Sequence, residues 1–269
     1  MSLWFDPKPP RRLKERRRMT LFELFVLGAA GFAAGLLNAV AGGGTFLSLP
    51  ALIYVGVPPV MANATATLTA LPGYISSAWG FRHDMKAEGA LSLPAIAALG
   101  IAGSVIGAAL LIITPGEAFL WIVPWLLLVA TLLFAAGPAL MRWMRARGTK
   151  AVGAAGSAAA IGTVSLYGGY FNGGLGIMLL ATFGFIGYVN LHAMNGLKNV
   201  LSAVISLVSA VTFIAADLIA WEQAIIMALL STLGGYAGAL WSRKITRTDL
   251  LRYVVTAIGL TMAIVFFLK

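Results

Sequence analysis

Residues 90–113 read ALSLPAIAALGIAGSVIGAALLII, an apolar run without a charged side chain. A helix of about 20 predominantly apolar residues is long enough to cross the hydrocarbon core of a lipid bilayer. Similar apolar segments lie at about 21–40, 45–57, 60–80, 90–113, 118–141, 151–171, 176–189, 193–215, 222–242 and 250–268. Eight of them have the length of a spanning helix, so the sequence predicts an all-α polytopic integral membrane protein with eight to ten transmembrane helices.

The composition of the whole chain agrees with this prediction. Of its 269 residues, 60% are hydrophobic and only 10% are charged, and the mean hydropathy is +0.91. A soluble domain usually carries about 25% charged residues because its surface faces water. Lipid is therefore the expected surrounding, and the absence of cysteine excludes disulfides, thiolate nucleophiles and cysteine metal sites.

Positive charge is concentrated at the N-terminus. Seven of the 19 lysine and arginine residues precede Met19, directly before the first apolar segment. Basic residues beside a transmembrane segment favour the cytoplasmic side, so residues 1–20 are expected to form a cytoplasmic arm of an inner (plasma) membrane protein. The arm could also contact anionic lipid headgroups, whereas its position disfavours a nucleic-acid partner and a cleaved signal peptide.

The chain carries signs of an internal duplication. The two short apolar segments, 45–57 and 176–189, both follow glycine-rich turns, and a shift of the sequence by 131 residues aligns those turns. We expect a first membrane repeat over 21–141, a basic linker over 142–150 and a second membrane repeat over 151–269. Whether the short segments cross the bilayer decides whether the repeats are inverted or parallel, and both topologies remain open.

Polar residues surround the turn in the first half. Glycines end a helix there and allow a new helix to start inside the membrane, and unpaired N–H groups at a helix start bind oxyanions. The alternative is that small residues only permit close helix packing. The candidate anion-binding residues are Asn38, Gly42, Gly43, Gly44, Thr45, Asn63, Thr65 and Thr67.

The second half repeats this pattern and adds a cation. Lys198 is the sixth residue of an otherwise apolar segment, where a lysine is costly unless it has a partner or a function. It could extend to the membrane interface, or it could attract an anionic substrate between the two broken helices. The candidate anion-binding residues here are Asn172, Gly173, Gly174, Asn195, Lys198 and Asn199.

Signatures of catalysis and of metal or cofactor binding are missing from the sequence. The nine acidic residues lie mostly at segment ends, and the two histidines, His83 and His192, have no metal-ligand spacing. No serine lies in a Gly-x-Ser-x-Gly setting. We therefore expect a protein that is not an enzyme and that has no catalytic residue, metal or cofactor.

At the glycine turns the sequence resembles the TauE/SafE family of sulfite exporters, which are anion permeases with a duplicated domain. The matching motifs are Ala41-Gly-Gly-Gly44 with Leu49-Pro50, Gly56-Val-Pro-Pro59, Ala64-Thr65, Gly169-Tyr-Phe-Asn-Gly-Gly-Leu-Gly176 and Ala193-Met-Asn-Gly-Leu-Lys198. The resemblance extends from about Leu21 to Lys269, and Asn172 stands where many relatives have a small residue.

The resemblance implies transport of a small sulfur-containing anion, such as sulfite or an organosulfonate. Its implied partners are that anion and the membrane lipid, and movement of one half against the other would expose the site alternately. Two other classes remain open from the residues alone: a membrane-embedded enzyme, and an assembly factor of a membrane complex.

Overall fold

A computed structural model describes residues 19–40, 42–83, 88–146, 152–242 and 249–268. Within these ranges the chain forms ten α-helices and no β-strand. The helices are α1 (Leu21–Val40), α2 (Thr45–Tyr54), α3 (Pro59–Gly80), α4 (Leu93–Ile113), α5 (Gly116–Ala146), α6 (Ala154–Tyr170), α7 (Leu175–Phe185), α8 (Leu191–Ala215), α9 (Trp221–Ser242) and α10 (Asp249–Phe267). Each helix coincides with one apolar segment, and the predicted all-α class is confirmed.

Local sequence explains where several helices begin. The Ser92 hydroxyl accepts a hydrogen bond from the Ala95 amide at the start of α4. The Asn190 side chain accepts two amide bonds, from His192 and Ala193, at the start of α8. Such caps satisfy amides that have no partner inside the helix.

Helices α2 and α7 are too short to cross a bilayer alone. They have 10 and 11 residues, which corresponds to about 15 Å, or half of a hydrocarbon core of about 30 Å. Both are followed by a glycine with positive φ, Gly56 (91°) and Gly187 (101°), which reverses the chain into the next long helix. The two short segments therefore have the same form: a glycine turn, a half-length helix and a second glycine turn.

Five helices are long and apolar enough to span a membrane by length and composition, among the described residues. They comprise α1, α4, α8, α9 and the Gly116–Gly137 part of α5. The sequence predicted eight spanning lengths; α6 has only 17 residues, and α3 carries Asn63 and several threonines. The outer surface is apolar, with Trp121, Val211 and Leu233 more than half exposed, as a lipid-facing surface requires.

The helix pairings cross between the two halves of the chain. Helix α1 packs along α9, and α6 packs along α4; α3 lies against α8, and α5 lies against α10. Glycines allow the first two pairs to approach closely, because Gly35 contacts the backbone of Ser231 and Gly107 contacts the backbone of Leu166. The resulting centre of the molecule is formed by α1, α3, α6 and α8 around the two short helices.

The predicted basic regions are only partly covered by this description. The arm over residues 1–18 and the linker residues 147–150 lie outside the described residues. Helix α5 continues to Ala146, five residues into the predicted linker.

Candidate anion site at the two broken helices

The two glycine turns meet each other. Gly42 has a positive φ of 82° and its backbone lies directly against the backbone of Gly176, so neither position has room for a side chain. Gly43 packs against Phe134, and Gly174, with φ 73°, packs against Ala130. The turns from both halves are therefore brought together and enclosed by protein.

The side chain of Lys198, on α8, contacts the C-terminal end of α1. Its side chain is 0% exposed, and Nζ donates hydrogen bonds to the carbonyl oxygens of Asn38 (2.9 Å) and Ala39 (3.2 Å). The last carbonyls of a helix have no partner within the helix and carry the negative end of its dipole. Lys198 thus binds the C-terminal end of α1 from inside the molecule, and its ammonium does not extend to the membrane interface.

Asn38 joins this lysine to the start of α2. Its side-chain Oδ1 accepts the Gly44 amide at 2.7 Å, while its backbone carbonyl accepts Lys198. The Nδ2 of Asn38 and the Oγ1 of Thr45 are buried and have no hydrogen-bond partner. These two buried donors at the first turn are consequently free to bind another group.

An equivalent contact occurs at the end of α6, with different chemistry. The Asn63 side chain on α3 donates from Nδ2 to the carbonyl of Tyr170, the last residue of α6, at 3.0 Å. The Thr67 hydroxyl donates to the Asn63 carbonyl within the same helix, and Thr65 accepts the Ala220 amide just before α9. Asn63 therefore lies at the second helix break, Thr67 lies one turn further along α3, and the Thr65 hydroxyl binds the start of α9.

Asn172 connects two long helices at the second turn. Its Oδ1 accepts the hydroxyl of Tyr74 on α3 at 3.2 Å, and its Nδ2 donates to the hydroxyl of Ser206 on α8 at 2.8 Å. The neighbouring carbonyl of Gly173 accepts the Tyr167 hydroxyl at 2.6 Å. The Asn172 side chain and the Gly173 carbonyl thus bind protein groups in this conformation.

The remaining two candidates lie beside Lys198 on α8. Both polar atoms of the Asn199 side chain are buried without a partner, and so is the Oδ1 of Asn195. A buried polar group without a hydrogen bond is costly in an apolar surrounding. Asn195 and Asn199, which flank Lys198 in sequence, therefore add buried polar atoms without partners to those of Asn38 and Thr45.

The positive charge of Lys198 has no negatively charged side chain beside it among the described residues. Within the described ranges no carboxylate forms an ion pair with it, and its two acceptors are backbone carbonyls. The same ranges contain no cluster of three histidine or acidic side chains that could hold a metal ion. The site can therefore attract a negative group through one cation and several neutral donors.

Comparison with known proteins places the chain in a family. The family model described as "Sulfite exporter TauE/SafE" matches residues 27–266. This chain belongs to the sulfite exporter TauE/SafE family. The matched region contains both glycine turns and all the site residues described above, so the site lies within the shared part of the TauE/SafE fold.

Similar proteins are named as membrane transporters. A "Probable membrane transporter protein" of Haemophilus influenzae is 29% identical over 80% of this chain and 84% of its own length. The "Probable membrane transporter protein YfcA" of Escherichia coli is 28% identical over 80% of this chain and 79% of its own length. A probable membrane transporter protein of Sinorhizobium is 34% identical, over 43% of this chain and 44% of its own length. Family and relatives agree that this is a multi-pass membrane transporter protein.

In this TauE/SafE family member, Tyr74 and Ser206 form hydrogen bonds with the Asn172 side chain, and neither residue was predicted from the sequence. Both were hidden in apolar segments, since a tyrosine or a serine is common in transmembrane helices. A signal was present: polar residues recur at alternating spacings of four and three along α8, and α3 has the same pattern except for Ala70. These spacings place the residues on one face of each helix.

Proposed function

We propose that this protein transports small sulfur-containing anions, such as sulfite or organosulfonates, across the inner membrane and is not an enzyme. The observation that carries the proposal is Lys198, a fully buried cation with only carbonyl partners, beside two broken helices from different halves. A transporter family and transporter-named relatives support the same class of function.

The charge of Lys198 exceeds what its protein partners neutralise. A helix C-terminus carries about half of an elementary negative charge, so roughly half of the ammonium charge is left without compensation. A buried charge that is not neutralised is strongly unfavourable. An anion beside Lys198 would complete the neutralisation, which gives the site a reason to bind one.

The donors around Lys198 suit an oxyanion. An ammonium has three donors, and two of them are used by Asn38 and Ala39. The third, with the unpartnered Nδ2 atoms of Asn38 and Asn199 and the Thr45 hydroxyl, could bind the three oxygens of sulfite or of a sulfonate. Because these donors are mostly neutral, the anion would be held firmly enough to enter and loosely enough to leave.

Crossed helix pairings support alternating access between two repeats. The first helix of each half packs on the fourth helix of the other half, α1 on α9 and α6 on α4. The third helix of each half likewise contacts the fourth helix of the other half, α3 on α9 and α8 on α4. This arrangement is expected when residues 21–141 and 151–269 are duplicated units with a site between them. The enclosed turns then correspond to a closed state, from which one half would rock against the other to open the site.

The direction of net movement follows from the membrane potential. One elementary charge gains about 2.3 kcal/mol for each 100 mV across the membrane. A negative cell interior therefore expels an anion without a coupled ion, and the proposed net flux is export.

Transport in proteoliposomes tests the proposal, with wild type compared with Lys198→Gln. Glutamine can still donate to the end of α1, so folding should be retained while the charge is lost. We expect potential-driven flux of sulfite and small sulfonates in the wild type, and a loss of about 10- to 100-fold in the variant, because a charged hydrogen bond contributes about 1.5–3 kcal/mol.

Two results would contradict the proposal. Wild-type protein that moves none of these anions in either direction, while it converts a lipid-soluble substrate, would make it an enzyme. Equal flux in a correctly folded Lys198→Gln variant would reduce Lys198 to a structural cap of α1.

A further inference from the structure

Two rows of polar residues follow the same pattern on α3 and α8. On α8 the row is Asn195, Asn199, Ser202, Ser206 and Ser209. Each position lies 132 residues after a position on α3, one more than the shift that aligns the glycine turns. These α3 positions hold four polar residues and one alanine: Asn63, Thr67, Ala70, Tyr74 and Ser77. Alternating spacings of four and three place each row on one face of its helix, and α3 and α8 pack against each other.

Two hydroxyls of the α8 row lack the hydrogen bond that many other helix hydroxyls of this protein make. A hydroxyl in an apolar helix usually donates to the carbonyl four residues earlier, as Thr67, Ser77 and Thr212 do here. Ser202 and Ser209 are 0% exposed, yet their hydroxyls have no partner. Asn199 is also 0% exposed and unpartnered at both atoms, so three members of one row lack hydrogen bonds.

Close packing explains other unpartnered serines but not these. Ser165 and Ser231 also lack partners, and each lies where a glycine of a neighbouring helix, Gly103 or Gly73, makes a close contact. No glycine contact of this kind involves Ser202 or Ser209 among the described glycines. Their hydroxyls are therefore better explained by a polar solute or water that passes along this face of α8.

Asn172 crosses the space between the two rows. Its side chain binds Tyr74 and Ser206, which are matching members of the α3 and α8 rows. From Asn195 to Ser209 the α8 row covers 14 steps along the helix, or about 21 Å of a hydrocarbon core of about 30 Å. The bridge lies close to the far end of that length, away from Lys198.

We propose that the anion path runs along this face of α8, from Lys198 past Ser202 to Ser209, and that the Tyr74–Asn172–Ser206 bridge closes it. This inference rests on the proposed transport function and names the route that serves the same site. Asn172 is the residue that sets the width of the route, because its side chain joins the two rows. The path opens when the bridge separates.

Cysteine accessibility tests the route, since the natural chain contains no cysteine. Ser202→Cys and Ser209→Cys are near-isosteric changes, and an anionic methanethiosulfonate carries the sulfonate group of the proposed substrate. The matched controls on α8 are Leu201→Cys, buried against Gly100 of α4, and Leu207→Cys and Val211→Cys, exposed to lipid. All variants are labelled in membranes, and their folding is checked by size-exclusion chromatography.

We expect both serine positions to react at least about tenfold faster than the three controls, because a thiolate forms in water and not in an apolar surrounding. An inert alkanesulfonate should slow this reaction, and Asn172→Ala should speed it at Ser209→Cys. Equal, slow labelling at all five positions would overturn the route, and an unchanged rate with Asn172→Ala would overturn the bridge as its closure.

Transport is measured separately on the wild type, so the two proposals fail in different ways. Flux of sulfonate with unreactive cysteines contradicts only the route along α8. Reactive cysteines without flux of any sulfur anion show a polar path and contradict the proposed substrate class.

Discussion

The two helix breaks perform the same structural task with different chemistry. The end of α1 is bound by the ammonium of Lys198 on α8, and the end of α6 is bound by the amide of Asn63 on α3. The neutral amide shows that a broken helix end in this protein does not require a charge. The positive charge at the first break is therefore surplus to the structure, which is the strongest argument that it serves an anionic substrate.

The largest expected effect comes from separating the two turns. In Gly42→Ala the added methyl group would collide with the backbone of Gly176, and the positive φ would add strain. We expect severe destabilisation, measured as loss of monodisperse protein in detergent. Gly56→Ala is the matched control: it has a similar φ of 91° and no neighbour within 4 Å, so it should cost only about 1 kcal/mol.

If Gly42→Ala were as stable as Gly56→Ala, the close contact between the turns would be wrong. The two variants share the strain of a positive φ, so any difference between them reports the contact with Gly176 alone.

The second effect distinguishes the two caps. Lys198→Met and Asn63→Leu each leave the end of a helix without its donor, and a buried acceptor without a partner costs about 1–3 kcal/mol. Asn63→Leu should therefore unfold at lower temperature than the wild type, and Lys198→Met, which also removes an uncompensated buried charge, should lose less stability. Only Lys198→Met should also lose sulfonate transport per folded molecule, measured as initial flux in proteoliposomes.

An equal loss of transport in Asn63→Leu would show that the two breaks contribute alike. The comparison would then assign transport to the broken helices themselves and not to the lysine charge.

The smallest effect concerns the bridge at the second turn. Tyr74→Phe removes one hydrogen bond to Asn172 and leaves the ring in place, so it should reduce stability by about 0.5–1.5 kcal/mol. Thermal unfolding in detergent measures this change. Tyr170→Phe, whose hydroxyl makes only a long 3.4 Å contact with Thr114, is the control and should unfold close to the wild-type temperature.

Much of the fold could be predicted from the sequence because backbone N–H and C=O groups inside lipid must form hydrogen bonds within the protein, which favours helices. All ten apolar segments became helices, including the short α2 and α7, since a run of apolar residues bounded by glycine has few alternatives in a membrane. The two glycine turns that the sequence aligns lie against each other, with Gly42 at Gly176. Family membership followed from the same motifs.

The partners of the site residues could not be predicted, because they come from distant parts of the chain. Lys198 contacts Asn38 across 160 positions, and Asn63 contacts Tyr170 across 107. Sequence alone offered the membrane interface or an anion as the partner of Lys198 and missed the end of α1. It also missed the contact of the Thr65 hydroxyl with the Ala220 amide.

The most direct test of the central claim is the binding of an inert alkanesulfonate to wild type and to Lys198→Gln. Binding is measured as the change in unfolding temperature of each protein in detergent. A ligand that binds only the folded state raises its stability by about 2.7 kcal/mol at 100 times the dissociation constant. We predict a concentration-dependent rise in unfolding temperature for the wild type and none for Lys198→Gln. An equal rise in both proteins would contradict the claim that the buried charge of Lys198 binds the anion.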